Sequence, residues 1–197
     1  MRRRHCSVNR DGRNDIVASD EEYRLQIRGY KSHQRLLDLW QQVSSRDTPG
    51  WGSGKALEYL ILRAFEIEKA DVCWPFEVKL DGTTVEQLDG VVYAADLACI
   101  VEAKDWTKST AMEPIAKLRN QLLRRPSGVI GSVFSTSSFT DPAKMLARFL
   151  APQTVLLWEP EDIKYALEHR AMVESLRRKY RYAVEQGLPD LPLQESE

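Results

Sequence analysis

Residues 93–106, YAADLACIVEAKDW, contain a short apolar strand that ends in Glu-Ala-Lys. Side chains of an extended chain alternate between two faces. Leu97, Cys99 and Val101 therefore share one face, and the even-numbered residues, up to Glu102 and Lys104, share the other. An acid and an ammonium group lie side by side at the end of this strand, and a structural ion pair or a metal site would explain them.

The composition predicts one folded domain. The chain has 197 residues, of which 43% are hydrophobic, which is enough for a single core. The formal charge of -1 removes any argument for nucleic-acid binding from bulk charge alone. The apolar run at 57–65 is interrupted by Glu58 and Arg63, so no membrane-spanning segment is predicted.

The cysteines and the Arg-rich start favour a cytoplasmic protein. Cys6, Cys73 and Cys99 show no metal-binding spacing, and we expect Cys73 and Cys99 to be buried free thiols. The start, MRRRHCSVNRDGRND, lacks the apolar stretch of a secretory signal. We expect residues 1–20 to form a disordered or flexible arm.

Hydrophobic periodicity predicts an α/β domain over residues 21–186, followed by a flexible tail at 187–197. Early hairpins and a later strand-helix-strand crossover indicate a mixed sheet with helices on both faces. The predicted segments are helices at about 21–43 and 55–69, strands at 71–80, 84–93 and 97–103, a helix at 114–125, a strand at 128–136, a helix from 141, a strand at 154–158 and a helix at about 161–186.

A second acid, Asp89, is expected near the end of the 97–103 strand. A turn near Ala94-Ala95 would place Asp89 roughly opposite residue 100, and its carboxylate would reach Glu102 diagonally. Two carboxylates and a carbonyl oxygen are the hard ligands that magnesium prefers. Lys104 would then lie beside an activated water and a phosphate, the parts that phosphodiester hydrolysis needs.

These residues resemble a known superfamily. Asp89, the triplet 102–104 and Glu58 on the preceding helix are similar to the PD-(D/E)xK nucleases, although Leu88 stands where the motif has proline. The block GVIGSVFSTSSFTDPAKMLA at 128–147 resembles the Mrr-type restriction endonuclease catalytic domain. The resemblance covers about 50–168 and implies a restriction-endonuclease-like αβββαβ core, with an added N-terminal helix and a long C-terminal helix.

The resemblance also implies roles for individual residues. Asp89 and Glu102 would bind Mg²⁺ or Mn²⁺ together with the carbonyl of Ala103, and Lys104 would be the catalytic lysine. Glu58 matches the acid that many members carry on the first helix, near the metals or their waters, and the resemblance implies a catalytic and metal-binding role for it as well.

Members of the Mrr type also carry a glutamine on the helix after the lysine. We assign this place to Gln121, with Lys117 as its rival one turn earlier.

The function implied by the resemblance is a metal-dependent DNA endonuclease in host defence or DNA repair. Its partners would be DNA and either a second copy of the chain or a separate targeting subunit. A cluster of basic residues on or just after the helix at 114–125 would follow a DNA backbone, or would form an ordinary solvated face. These residues are Lys117, Arg119, Arg124 and Arg125.

Other readings of the same residues remain open. Glu58 could simply pair with Lys55, Glu102 with Lys104, and Asp89 could be a solvent-exposed or capping residue. Asp96 is a competing acid, although it lies in a turn-like position. The chain could also be an inactive nuclease-like module that binds nucleic acid or supports assembly, an unrelated α/β domain, or an enzyme that acts on RNA.

Overall fold

A computed structural model describes residues 20–74, 76–150 and 152–195. Its helices are α1 (Asp20–Arg28), α2 (His33–Ser45), α3 (Lys55–Ile67), α4 (Glu113–Leu122), α5 (Asp141–Arg148), α6 (Pro160–Glu168) and α7 (Met172–Gln186), with a 3-10 turn at Leu193–Glu195. Its strands are β1 (Asp71–Cys73), β2 (Phe76–Leu80), β3 (Thr83–Leu88), β4 (Gly90–Ala94), β5 (Leu97–Lys104), β6 (Val129–Ser135) and β7 (Val155–Trp158).

Five strands form a central mixed sheet in the order β1-β4-β5-β6-β7. The β1/β4 and β4/β5 pairs are antiparallel, whereas β5/β6 and β6/β7 are parallel. The parallel pairs follow from the crossover helices α4 and α5, as predicted for an α/β domain. Strands β2 and β3 form a separate two-stranded sheet.

Helices cover both faces of this sheet because β5 is apolar on both of its faces. Cys99 and Val101 pack in a core with α3 residues such as Leu60. Ile100, between them in sequence, packs in a second core with Leu118 of α4. The alternation read from the sequence is confirmed, and it directs Glu102 and Lys104 toward the face that carries α4.

Two helices predicted as continuous are each interrupted. The segment at 21–43 divides into α1 and α2, because the Ser32 side chain caps α2 by accepting a hydrogen bond from the Arg35 N–H. The segment at 161–186 divides into α6 and α7 at Arg170, whose φ of 54° ends the helical path. Apolar periodicity runs through both breaks and therefore concealed them.

Two predicted strands each divide between the two sheets. The segment 71–80 supplies β1 and β2, and the segment 84–93 supplies β3 and β4. Asp89 lies between β3 and β4, at the point where the chain passes from one sheet to the other. Alternation alone cannot show such a change of sheet, since both strands keep the same period of two.

The expected flexible tail differs from the structure over residues 187–195. Leu193 is fully buried, and its backbone N–H donates to Asp162 at 2.8 Å. The buried Lys179 donates to the carbonyl of Leu191 at 2.9 Å, and Arg148 pairs with Asp190 at 2.7 Å. These contacts hold the segment against α6 and α7. The predicted arm, apart from Asp20, lies outside the described residues.

The cysteine prediction is half right. Cys99 is buried, and burial raises the pKa of its thiol to about 12. Cys73 is exposed, because β1 is the edge strand of the central sheet. None of the described helices has the length and apolar character needed to cross a membrane.

Candidate active site

The β4–β5 hairpin brings Asp89 beside Glu102. Gly90 pairs with Val101, so the preceding Asp89 lies next to the end of β5 at Glu102. The predicted register, with Asp89 opposite residue 100, is wrong by two residues. The reason is the turn, which consists of Ala95 and Asp96, both with left-handed φ of 50° and 60°.

Asp89 is fixed by the backbone of β5, the strand that carries Glu102, Ala103 and Lys104. Its carboxylate accepts a hydrogen bond from the Ala103 N–H at 2.6 Å. Burial, followed by the negative charge of Glu102, raises the pKa of Asp89 above its usual value. The Ala103 N–H, Lys104 and Lys117 act in the opposite direction. Glu102 is therefore close enough to Asp89 for its negative charge to affect the pKa of Asp89.

Glu102 is fully buried and is held by two ammonium groups. Lys104 Nζ lies 2.5 Å from its Oε1. Lys117 Nζ, from α4, lies 2.9 Å from Oε1 and 3.0 Å from Oε2. Lys104 Nζ also donates to the carbonyl oxygen of Ala103 at 3.3 Å. A carboxylate oxygen and a carbonyl oxygen thus face the same cationic group.

Glu58, a buried acid of α3, is the third carboxylate of the site, beside the half-buried Asp89 and the buried Glu102. Lys55 Nζ lies 2.9 Å from Glu58 Oε2 and 3.3 Å from the carboxylate of Asp20. Burial, and then the charge of Asp89, raises the pKa of Glu58 to about 7. Glu58 is paired with Lys55, as expected, and the negative charge of Asp89 still raises the pKa of Glu58.

The two candidates on α4 have different surroundings. Lys117 contacts Glu102 directly, whereas Gln121 is buried one turn later. The amide oxygen of Gln121 has no hydrogen-bond partner within the part of the chain that the structure describes. The spacing alone had left these two residues as rivals.

Three of the four basic residues predicted to contact DNA are paired with acids of the chain. Arg124 and Arg125 bind the buried carboxylate of Glu86 on β3, at 2.6 and 2.7 Å. Lys117 is engaged with Glu102, and Arg119 is exposed. Arg124, Arg125 and Lys117 are thus partly neutralised by acids of the chain itself.

A set of side-chain contacts just beyond Lys104 was not predicted from the sequence. Arg46, at the end of α2, binds Asp105 and the carbonyl of Trp106. Thr136, just after β6, donates to Asp105 at 2.9 Å. These contacts fix the chain where it leaves β5. Arg46 is 59 residues from Asp105, and no local pattern pairs them.

The family model described as restriction endonuclease, the Mrr catalytic domain, matches residues 52–167. This is more than half of the chain. The chain belongs to this restriction endonuclease family. The matched range contains Glu58, Asp89, Glu102 and Lys104, and also both α4 candidates.

Three solved structures are similar to this member of the restriction endonuclease family. A protein of unknown function, AF1548, is 14% identical with a TM-score of 0.41, over 76% of this chain and 79% of that one. The DNA modification-dependent restriction endonuclease AspBHI is 13% identical with a TM-score of 0.42, over 94% and 45%. The MspJI restriction endonuclease, in complex with a 27-mer oligonucleotide, is 16% identical with a TM-score of 0.34, over 87% and 36%.

The chain spans less than half the length of AspBHI and of MspJI. No curated protein matches the sequence. The family and the mixed sheet together confirm the predicted restriction-endonuclease-like α/β fold and the resemblance to the PD-(D/E)xK superfamily.

The donor chemistry of this restriction endonuclease domain suits a hard divalent cation. Asp89 and Glu102 supply carboxylate oxygens, and Ala103 supplies a carbonyl oxygen directed at the same ammonium group as Glu102. Within the described residues, no three His, Cys, Asp or Glu side chains are grouped as a ready metal cage. A cation would therefore need the carbonyl as well as the two acids.

Proposed function

We propose that this chain is a metal-dependent DNA endonuclease that hydrolyses phosphodiester bonds. The observation that carries the proposal is the meeting of Asp89, Glu102 and Lys104 at the end of β5. The fully buried carboxylate of Glu102 contacts Lys104 at 2.5 Å, and its charge reaches Asp89. A fully buried acid beside a half-buried acid and a lysine indicates a functional site, since holding like charges together away from water is unfavourable.

Asp89, Glu102 and the Ala103 carbonyl would hold Mg²⁺ or Mn²⁺. The cation supplies positive charge to the scissile phosphate and makes the attacking water more acidic. Lys104, whose side chain is partly exposed, would donate hydrogen bonds to that water and to a phosphate oxygen.

Glu58 is suited to accept the proton of the attacking water. A general base works best when its pKa lies near the working pH, and burial brings the pKa of Glu58 to about 7. Lys55 holds the carboxylate in place through both oxygens, at 2.9 and 3.2 Å.

The match to the restriction endonuclease family supports DNA as the proposed substrate. We propose a role in host defence, with DNA repair as the alternative. We also propose that the enzyme acts in the cytoplasm on DNA, as a homodimer or with a separate targeting subunit that supplies specificity.

Cleavage of DNA tests this proposal. Supercoiled plasmid and linear, branched and methylated DNA are incubated with Mg²⁺ or Mn²⁺ and either the wild-type protein, Asp89→Asn or Lys104→Ala. We expect metal-dependent nicking, reduced about 10²–10⁴-fold by each substitution. Asp96→Asn is the matched control, because Asp96 lies at the opposite end of the same hairpin and asparagine tolerates its left-handed φ.

A non-cutting DNA-binding module is the second candidate. It is favoured by the two ammonium groups that already occupy Glu102. DNA binding without metal-dependent cleavage on any of these substrates would support the module. Cleavage that persists in both Asp89→Asn and Lys104→Ala would show that the nicking comes from another site or from a contaminant.

A further inference from the structure

Lys117 of α4 pairs with Glu102, the fully buried acid of the candidate active site. Its Nζ lies 2.9 and 3.0 Å from the two oxygens of Glu102, so it contacts both oxygens of a carboxylate that Lys104 also contacts at Oε1. A positive charge here places a cation where the acid would otherwise meet a metal.

Asp89 and Glu102 already have two lysines beside them, and a divalent metal ion would add more positive charge to the same two acids. In the metal-free protein, Asp89 and Glu102 are offset by Lys104 and Lys117. A divalent cation bound by the same carboxylates would leave an excess of positive charge in this largely buried site, and the neighbouring Glu58 is already paired with Lys55. Like charges a few ångströms apart in a partly buried site repel strongly. One of the two lysines must then leave, or an anion must enter.

Lys117 is the lysine that is free to leave. Its side chain is 50% exposed and extends from the surface of α4, whereas the side chain of Lys104 is 21% exposed. Lys104 also donates to the Ala103 carbonyl, and its backbone pairs with Ser135 on β6. The long flexible chain of Lys117 can turn from the acid toward solvent, where a DNA phosphate would lie.

We propose that Lys117 is an exchangeable counter-ion: it neutralises Glu102 in the metal-free protein and moves to a substrate phosphate once a divalent cation is bound. Metal binding and DNA binding then strengthen one another through this residue, because each event favours the same displaced position of Lys117. The inference rests on the proposed metal-dependent function. It adds an order of events, in which metal binding comes first and releases Lys117 to contact a DNA phosphate.

Metal affinity without any cleavage tests the inference directly. Mn²⁺ alone is titrated calorimetrically into the wild-type protein, Lys117→Gln and Arg119→Gln. Glutamine keeps a hydrogen-bond donor for the buried carboxylate and removes the competing charge. We expect Lys117→Gln to bind Mn²⁺ about tenfold more tightly than wild type. Arg119→Gln removes the same charge from an exposed position two residues away and should leave the affinity within about twofold.

Binding of a short DNA duplex, with and without Ca²⁺, gives the second measurement. We expect Ca²⁺ to strengthen DNA binding by wild type about tenfold, and we expect most of this gain to be lost in Lys117→Gln. Lys117→Arg, which keeps the charge, should retain the gain. Circular dichroism establishes that each variant is folded before its affinity is interpreted.

The outcomes separate the two proposals. Mn²⁺ binding that is unchanged or weaker in Lys117→Gln overturns the exchange and leaves Lys117 as a structural partner of Glu102. If wild type binds no Mn²⁺, or binds it equally well after Asp89→Asn, the proposed metal-dependent function fails, and the exchange fails with it. Tighter binding in Lys117→Gln that is absent in Asp89→Asn supports both.

Discussion

At the scale of single residues, Glu58 shows how one position serves both stability and chemistry. Its carboxylate is held by Lys55, which also binds Asp20 at the start of α1. Burial and the charge of Asp89 still raise the pKa of Glu58 to about 7. The ion pair therefore compensates only part of the desolvation. A carboxyl group that titrates near neutral pH is useful to a nuclease and unfavourable for folding.

The raised pKa predicts how the metal-free protein responds to pH. Between the ordinary value near 4.5 and about 7, the folded state keeps a proton on Glu58 that the unfolded state has lost. The free energy of unfolding should therefore fall as pH rises through this window, by up to about 3 kcal/mol from this residue. Glu58→Gln should remove that part of the decrease, as measured by urea unfolding in EDTA at pH 5 and pH 8.

Glu113→Gln, at an exposed carboxyl on α4, is the control for this experiment. It should leave the pH dependence close to that of wild type. If both variants lost the same part of the pH dependence of the unfolding free energy, the burial of Glu58 would not be the cause of that dependence.

At the scale of elements, the β2–β3 hairpin and α4 together position the acids. The hairpin runs directly into Asp89, and α4 supplies Lys117 to Glu102. Glu86 on β3 joins the two elements, because its buried carboxylate binds Arg124 and Arg125 just beyond α4. Leu88 packs in the same core as Leu118 of α4. The separate small sheet is thereby locked to the helix.

Removing the contacts of Glu86 with Arg124 and Arg125 should lower the free energy of unfolding of the whole domain. Glu86→Ala removes two charge-assisted hydrogen bonds from a buried carboxylate, and we expect the free energy of unfolding to fall by about 1–3 kcal/mol. Glu77→Ala is the matched control, because Glu77 lies on the same hairpin and pairs with Lys79 in an exposed ion pair. Urea unfolding should show a change within about 0.5 kcal/mol for the control. Equal losses in the two variants would contradict a specific lock.

At the scale of the whole molecule, the C-terminal segment closes the fold beside α6 and α7. Lys179 is buried and binds Asp162 at 2.8 Å, together with the carbonyls of Leu157 and Leu191. Burial lowers the pKa of Lys179, although the charge of Asp162 opposes the change. The segment at 187–195 supplies a partner that this buried lysine would otherwise lack, which is why the segment packs.

Leu193 is the apolar anchor of that segment, with no exposed surface. Leu193→Ala should lower the free energy of unfolding by about 2–4 kcal/mol, because it leaves a cavity that its neighbours fill only partly. Thermal or urea unfolding measures the loss. Gln194→Ala, at the exposed next residue, should change stability by less than about 0.5 kcal/mol. A small effect at Leu193 would show that the segment contributes little to stability.

The amino-acid sequence by itself determined the strand predicted at 97–103, the start at residue 141 of α5, which Thr140 caps, and the candidate set Asp89, Glu102 and Lys104. These features depend on short-range rules: side chains alternate along a strand, and a threonine oxygen caps the helix that follows it. Such rules act over a few residues and can be read without knowing the fold.

Only the tertiary structure decided which side chains surround those acids. Lys117 meets Glu102 across 15 residues, Arg125 meets Glu86 across 39 and Arg46 meets Asp105 across 59. Packing of α4 and α2 against the sheet selects these partners from many equivalent charges. The Ala95–Asp96 turn set Asp89 two residues along β5 from its predicted place, and contacts with Asp162 and Lys179 hold the 187–195 segment on the domain, because burial and charge pairing depend on which elements meet in space.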